Sequence, residues 1–206
     1  MQKIQITTNH TGKMQGMQSL STACTSNEIC RARAAVPGSI CAKCYAARQL
    51  AYQSTTREKM EKNAEILREP IPAEAIPKIN AALFRFEAFG DVATPAQVEN
   101  YFRIAAANKR TRFALWTKNA GIVAQAIRDG AKKPANLVIV YSSPLLNKPS
   151  ANALNVWGFV DKVFTVYDAE TISREKININ CGARNCFECG KCYNKSGAKF
   201  INEKLK

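Results

Sequence analysis

Histidine is nearly missing from this 206-residue chain, which carries one, His10, in a polar stretch near the N-terminus. A serine or cysteine hydrolase site would have that single imidazole as its base, with little else to complete the three-part geometry it needs. A zinc site with several histidine ligands is excluded by count, so any zinc here would be held mostly by thiolates. Long apolar runs are missing too. The longest, Leu137 to Tyr141, is far short of the roughly 20 residues of a membrane helix. The opening Met1-Gln2-Lys3-Ile4-Gln5-Ile6-Thr7-Thr8 has no apolar stretch of signal-peptide length. The expectation is a soluble, cytoplasmic protein with no membrane partner, in a compartment where thiols stay reduced. Acidic residues are also few, 16 against 30 Lys plus Arg, for a net charge of +14. The length fits a single domain, 1–206, large enough to bury a core without covalent staples.

Cysteine is absent from the whole middle of the chain and dense at both ends. The eight thiols form two groups, Cys24-x5-Cys30-x10-Cys41-x2-Cys44 and Cys181-x4-Cys186-x2-Cys189-x2-Cys192. Core cysteines that pack as small hydrophobes need no neighbours in sequence, so this clustering asks for a shared ligand. A disulfide framework calls for an oxidising compartment and a core-poor chain, and neither is indicated. Zinc usually takes its ligands from two separated Cys-x2-Cys knuckles, and the first group has one. In the second group, successive x2 gaps let a short loop wrap a bulky cube and place a sulfur at successive corners. Its opening spacing also matches plant-type [2Fe–2S] ferredoxins, but those draw their last ligand from far away, so the compact loop favours a cubane. The metal-ligand candidates are therefore all eight cysteines, holding one or two [4Fe–4S] clusters, with zinc as the alternative. Gly182, Gly190 and Gly197 allow tight turns around such a centre, and Arg184, Lys191 and Lys195 offset its charge.

Between the groups, helical and strand patterns alternate. Ala46 to about Leu67 is helix-compatible and is ended by Glu69-Pro70-Ile71-Pro72. Leu83 to Phe89 reads as a strand with Gly90-Asp91 as its turn, and Thr94-Pro95 as N-cap and first residue of a helix running to about Asn108. Arg112–Thr117, Leu137–Tyr141 and Lys162–Tyr167 are further strands, with a helix over Asn119 to Asp129. The fold class is α/β: a partial (β/α) barrel or an open parallel sheet with cysteine-rich loops at both chain ends. Residues 1–45 read as an N-terminal strand and cysteine loop, 46–170 as the α/β core and 171–206 as a C-terminal cysteine-rich segment. Loops at the C-terminal ends of parallel strands build the sites of such folds, which makes Gly90, Asp91, Lys118 and Asp168 the candidate cofactor- or substrate-binding residues.

Cys30-x10-Cys41-x2-Cys44-Tyr45-Ala46, Phe89-Gly90-Asp91, Tyr101, Trp116-Thr117-Lys118-Asn119 and Asn136-Leu137-Val138-Ile139 with Ser142, read in order, resemble the gene product eighty-eight family of phage and mobile-element proteins over roughly residues 20 to 145. A more distant likeness is to radical S-adenosylmethionine enzymes. It implies Lys3 to Thr7 as first strand, Cys30, Cys41 and Cys44 as the cluster loop, Gly90-Asp91 at the glycine turn, and S-adenosylmethionine as a further cofactor. The ten-residue gap departs from that pattern, and Cys24 supplies a fourth candidate ligand. With Cys24 bound, every iron is capped and the cluster is structural or electron-carrying.

Two thiolate-bound centres of about −2 each bring the net charge of +14 to about +10. Basic residues concentrate beside the cysteines, among them Arg31, Arg33, Lys43, Arg48, Arg57 and Lys59, with Tyr45, Tyr52, Phe187 and Tyr193 available to stack on bases. The expected function is that of an iron–sulfur protein, a redox or divergent radical-type enzyme with a redox partner. The alternative is a zinc-stabilised protein that binds nucleic acid through its basic face.

Overall fold

The protein is described by a computed structural model covering residues 3–205. Six strands form one open sheet: β1 (Gln18–Leu20), β2 (Leu83–Phe86), β3 (Arg112–Thr117), β4 (Leu137–Ser142), β5 (Lys162–Tyr167) and β6 (Phe200–Lys204). Every neighbouring pair is parallel and the spatial order equals the chain order, so each crossover advances one strand in the same direction. This is the open parallel sheet expected from the strand and helix patterns. Its outer strands come from the first and last segments of the chain, so the sheet spans all three of the segments read from sequence.

The helices are α1 (Glu28–Ala34), α2 (Tyr45–Tyr52), α3 (Ser54–Leu67), α4 (Pro95–Ala107), α5 (Ala120–Arg128), α6 (Ala153–Val156), α7 (Ala169–Glu175) and α8 (Cys186–Cys189). Side chains alternate across the strands. Phe84, Phe86, Phe113, Leu115, Leu137 and Ile139 point to one face and pack with Leu67, Val98, Tyr101, Ile104 and Val123 of α3 to α5 as the main core. The opposite face carries Leu83, Ala114, Val138 and Phe164 and is covered by Met17 and by Tyr193, Cys186, Cys192 and Cys181 of the C-terminal segment. No helix among the described residues is long and apolar enough to cross a membrane.

The expected Ala46 to Leu67 helix is broken at Gln53 (φ −111°, ψ 73°) into α2 and α3. Ser54, Thr55 and Thr56 favour helix starts over helix interiors, and the break lets α2 bury Ala46 and Leu50 beside the cysteine loop while α3 sends Leu67 into the main core. Lys3 to Thr7, expected as the first strand, is not one. Thr7 makes a single antiparallel bridge to Ser19, N–H to carbonyl at 2.9 Å in both directions, while Asn63 occupies the Gln5 backbone. That bridge covers part of the outer edge of the short β1. At the start of α4, the Thr94 side chain accepts from the Gln97 N–H, with Pro95 at the first position, as expected.

Candidate metal centres

The N-terminal cysteines lie where β1, β2 and β3 end. Leu20 leads through Ser21 and Thr22 to Cys24, and this turn is gripped from β2 by Glu87, a residue held at φ 56° immediately after the strand. Glu87 is 2 % exposed. Its carboxylate accepts from the Thr22 N–H (3.1 Å) and hydroxyl (2.9 Å), Gln97 Nε2 (2.7 Å) and the Tyr101 hydroxyl (2.5 Å). Burial pushes the carboxyl up to about 7 against the pull of those donors. Gly90 sits so close that a Cβ there would run into the Thr22 carbonyl and lie 2.8 Å from Glu87 Oε2.

Asp91 ties the same corner to β3 and to the cysteine loop. One oxygen accepts from the Thr117 hydroxyl (2.5 Å) and the Val92 N–H (2.9 Å), the other from the Lys118 N–H (2.9 Å). Its backbone carbonyl accepts from Asn27 Nδ2 (2.8 Å), and Asn27 Oδ1 caps α1 through the N–H groups of Ile29 (3.0 Å) and Cys30 (3.2 Å). Arg33 donates to the Lys118 carbonyl (2.8 Å) and lies 3.8 Å from Asp91. Cys41 is set by a hydrogen bond from its N–H to Ser39 Oγ (3.1 Å), and the neighbouring Ile40 N–H reaches the Pro144 carbonyl (2.9 Å). Cys44 occupies the N-cap of α2, and the next residue, Tyr45, donates its hydroxyl to the Ala88 carbonyl. The Cys24 thiol is placed to donate to Cys44. That bond, the Ala47 and Ala46 amides and the Lys118 charge lower the Cys44 thiol to about 6, while the same bond and burial push Cys24 far up. Burial, then Asp91 and Glu87, raise Cys30.

The C-terminal group spans the other face of the sheet. Cys181 is fixed by its N–H to the Asn202 carbonyl (3.0 Å), and Lys13 Nζ reaches its carbonyl (3.2 Å), its sulfur (3.6 Å) and Glu203 (2.6 Å). Asn185 caps the single turn α8 that carries Cys186 and Cys189. Gly190 then turns the chain at φ 59° into a 3-10 turn, Lys191–Tyr193, holding Cys192. That turn packs on β3 and β4, and α8 on the Gly12–Met14 turn. Burial pushes the Cys192 thiol up to about 12, opposed by Arg85. Arg85 itself projects from β2 with its guanidinium 4.2 Å over the Trp116 ring.

The Gene product 88 family model matches residues 2–204. The chain belongs to the Gene product 88 family. The match takes in all six strands and both cysteine groups, so both groups lie within the family's extent. No curated protein and no solved structure matches the chain.

In this family member, the corner after β1, β2 and β3 brings together Gly90, Asp91 and Lys118 with Cys24, Cys30, Cys41 and Cys44. Asp168 is not part of that corner: it follows β5, three strands from β2, or about 14 Å across the sheet. There it caps α7 through the Thr171 N–H (2.8 Å) and accepts from Asn147 Nδ2 (2.7 Å). Among the described residues, no three His, Cys, Asp or Glu side chains converge in metal-holding geometry. Within each group, however, the thiols are near enough to influence one another's ionisation.

Glu87, Asn27, Arg85 and Trp116 line the two candidate sites without having been expected there, whereas Arg33 is one of the basic residues expected beside the first cysteine group. The available signal was Arg85 and Glu87 on either side of Phe86, two charges inside an otherwise apolar strand. Among the described residues, four buried side-chain polar atoms have no hydrogen-bond partner: Thr25 Oγ1, Arg33 Nη1, Arg85 Nε and Trp116 Nε1. All four can donate. Thr25 follows Cys24, Arg33 is one turn beyond Cys30 on α1, and Trp116 packs on the same buried clusters as Cys186, Cys192 and Cys181.

Proposed function

We propose that this member of the Gene product 88 family is an iron–sulfur protein with a [4Fe–4S] centre in each cysteine group. The observation that carries the reading is the placement of three donors without a partner, Thr25 Oγ1, Arg85 Nε and Trp116 Nε1. Buried donors without acceptors are rare and ask for a missing partner, and here each stands beside one or other cysteine group. A thiolate–sulfide cluster is an anion whose sulfurs accept hydrogen bonds, so the donor set fits that group.

When bound, a cluster supplies one-electron chemistry. The chain's own residues do the rest. Glu87 and Gly90 hold the Thr22 turn that presents Cys24, and Asp91 and Asn27 fix Cys30. The start of α2 places two amides at Cys44. Cys24 as fourth ligand makes the N-terminal centre closed and electron-carrying rather than open to S-adenosylmethionine, and a redox partner follows from that role. Gly90 is also explained without a cofactor, by its contact with Thr22.

Anaerobic purification followed by iron and sulfide quantification and electron paramagnetic resonance tests the proposal. The expected result is a brown protein with about four irons and four sulfides per occupied site. A colourless chain with stoichiometric zinc, even after reconstitution with iron and sulfide, would overturn it. That outcome favours the zinc-stabilised nucleic-acid-binding alternative, for which Tyr52, 91 % exposed on α2, is available to stack on a base.

A further inference from the structure

Arg85 is in an unusual position for a cation. It sits in the middle of β2, paired in register with Ser19 of β1 and Ala114 of β3, on the sheet face covered by the C-terminal cysteine segment. Among the described residues it forms no ion pair. Its Nε is buried without a partner, its Nη1 has only the Met14 sulfur at 4.0 Å, and its flat face rests on Trp116. The Trp116 Nε1, also buried, has no partner either. A guanidinium stays charged at any pH a protein tolerates, so it cannot shed the cost of burial by losing its proton. An anion must therefore face it. Its surroundings say which one. Lys13 and Glu203 pair with each other, and Cys186 and Cys192 pack on the same cluster of Met17, Leu83, Ala114 and Tyr193 that lies on this face of the sheet.

We propose that Arg85, assisted by the Trp116 indole N–H, is the counter-ion of an anionic centre held by the C-terminal cysteines and sets that centre's reduction potential. The inference rests on the iron–sulfur reading above. Adding an electron makes a cluster more negative, so a fixed cation beside it stabilises the reduced form and raises the potential. Arg85 is a positioning and tuning residue here, not a ligand.

The test uses the full chain with Cys30→Ser and Cys41→Ser, leaving the C-terminal group as the one complete site, and also the unmodified chain with its two signals resolved by electron paramagnetic resonance. Arg85→Gln is expected to lower the C-terminal potential by about 59 mV, a tenfold shift in a one-electron reduction equilibrium. Arg85→Lys should recover part of the loss, and Trp116→Phe, which keeps the ring and removes the N–H, should give a smaller drop. In the metal-free chain, Arg85→Gln should leave the melting temperature unchanged or raise it, because an unpaired buried cation has been removed. Normal iron and sulfide loading with an unmoved potential, or an equal fall at the N-terminal centre, overturns the role of Arg85 alone. A chain that takes up no cluster at either site overturns this role and the iron–sulfur reading together.

Discussion

Replacing Glu87 by glutamine should change how stability depends on pH more than it changes stability itself. In the folded chain the Glu87 carboxyl is raised from 4.5 to about 7 by burial, with Tyr101, Thr22 and Gln97 donating to it and Asp91 the facing carboxylate. A carboxyl raised on folding binds its proton more tightly in the native state. Its contribution is therefore complete below pH 4.5 and is lost as pH rises through 7. At 1.36 kcal/mol per pKa unit, that loss is roughly 3 kcal/mol. The amide of the Glu87→Gln variant cannot ionise and carries no such dependence, but its NH2 must face one of the donors now satisfied by Glu87, at a constant cost of about 1–3 kcal/mol. Wild type should thus be the more stable protein at pH 5, and the advantage should vanish or reverse by pH 8. Urea denaturation of both proteins, metal-free, at several pH values measures the difference. Other titrating groups cancel in that difference. A gap between the two proteins that stays constant from pH 5 to 8 would refute the reasoning and assign Glu87 a carboxylate charged throughout.

Gly90→Ala drives a methyl into a backbone oxygen of Thr22, and overpacking of that kind should cost about 3 kcal/mol in denaturation experiments and, on the iron–sulfur proposal, reduce the iron retained by the N-terminal cysteines. An unchanged denaturation midpoint would show that the corner yields. Asn27→Ala removes both the α1 cap and the tie to the Asp91 carbonyl, for about 2 kcal/mol, with faster amide exchange at Ile29 and Cys30 as the local signature. Lys162, fully buried, donates to the carbonyls of Ser196 (3.3 Å) and Ala198 (2.7 Å), so Lys162→Met should cost about 2–3 kcal/mol and loosen β6 before β2 to β4, as read by hydrogen exchange.

The middle of the fold was legible because each of β2 to β5 is an apolar run and α4 opens on Thr-Pro. The two edge strands were not. Gln18-Ser19-Leu20 is three residues with no apolar run, and Phe200-Ile201-Asn202-Glu203-Lys204 looks like a basic tail until it pairs with Thr165 and its neighbours. Both take their conformation from the strand beside them. The cysteines and the Gly90, Asp91 and Lys118 corner were readable from spacing and from strand ends. Glu87 and Arg85 were hidden, because their roles depend on contacts across 65 residues to Thr22 and across the sheet to Trp116. Asp168 ended a strand as expected, yet its carboxylate is taken up by α7 and Asn147, a local use that a strand end does not reveal.

The sequential strand order has a consequence for how this protein fails. β6 is reached only through the cysteine segment, and among the described residues it is the strand that pairs with the far side of β5, all along Val163 to Tyr167. Its approach depends on a one-turn helix and a 3-10 turn, elements too short to hold their own shape. Oxidation of the C-terminal thiols should release this segment first and bare the parallel edge of β5, with its β-branched and aromatic residues. Such an edge recruits other strands. Oxygen damage to this protein should be seen as self-association through β5, while the helices behind the sheet remain folded.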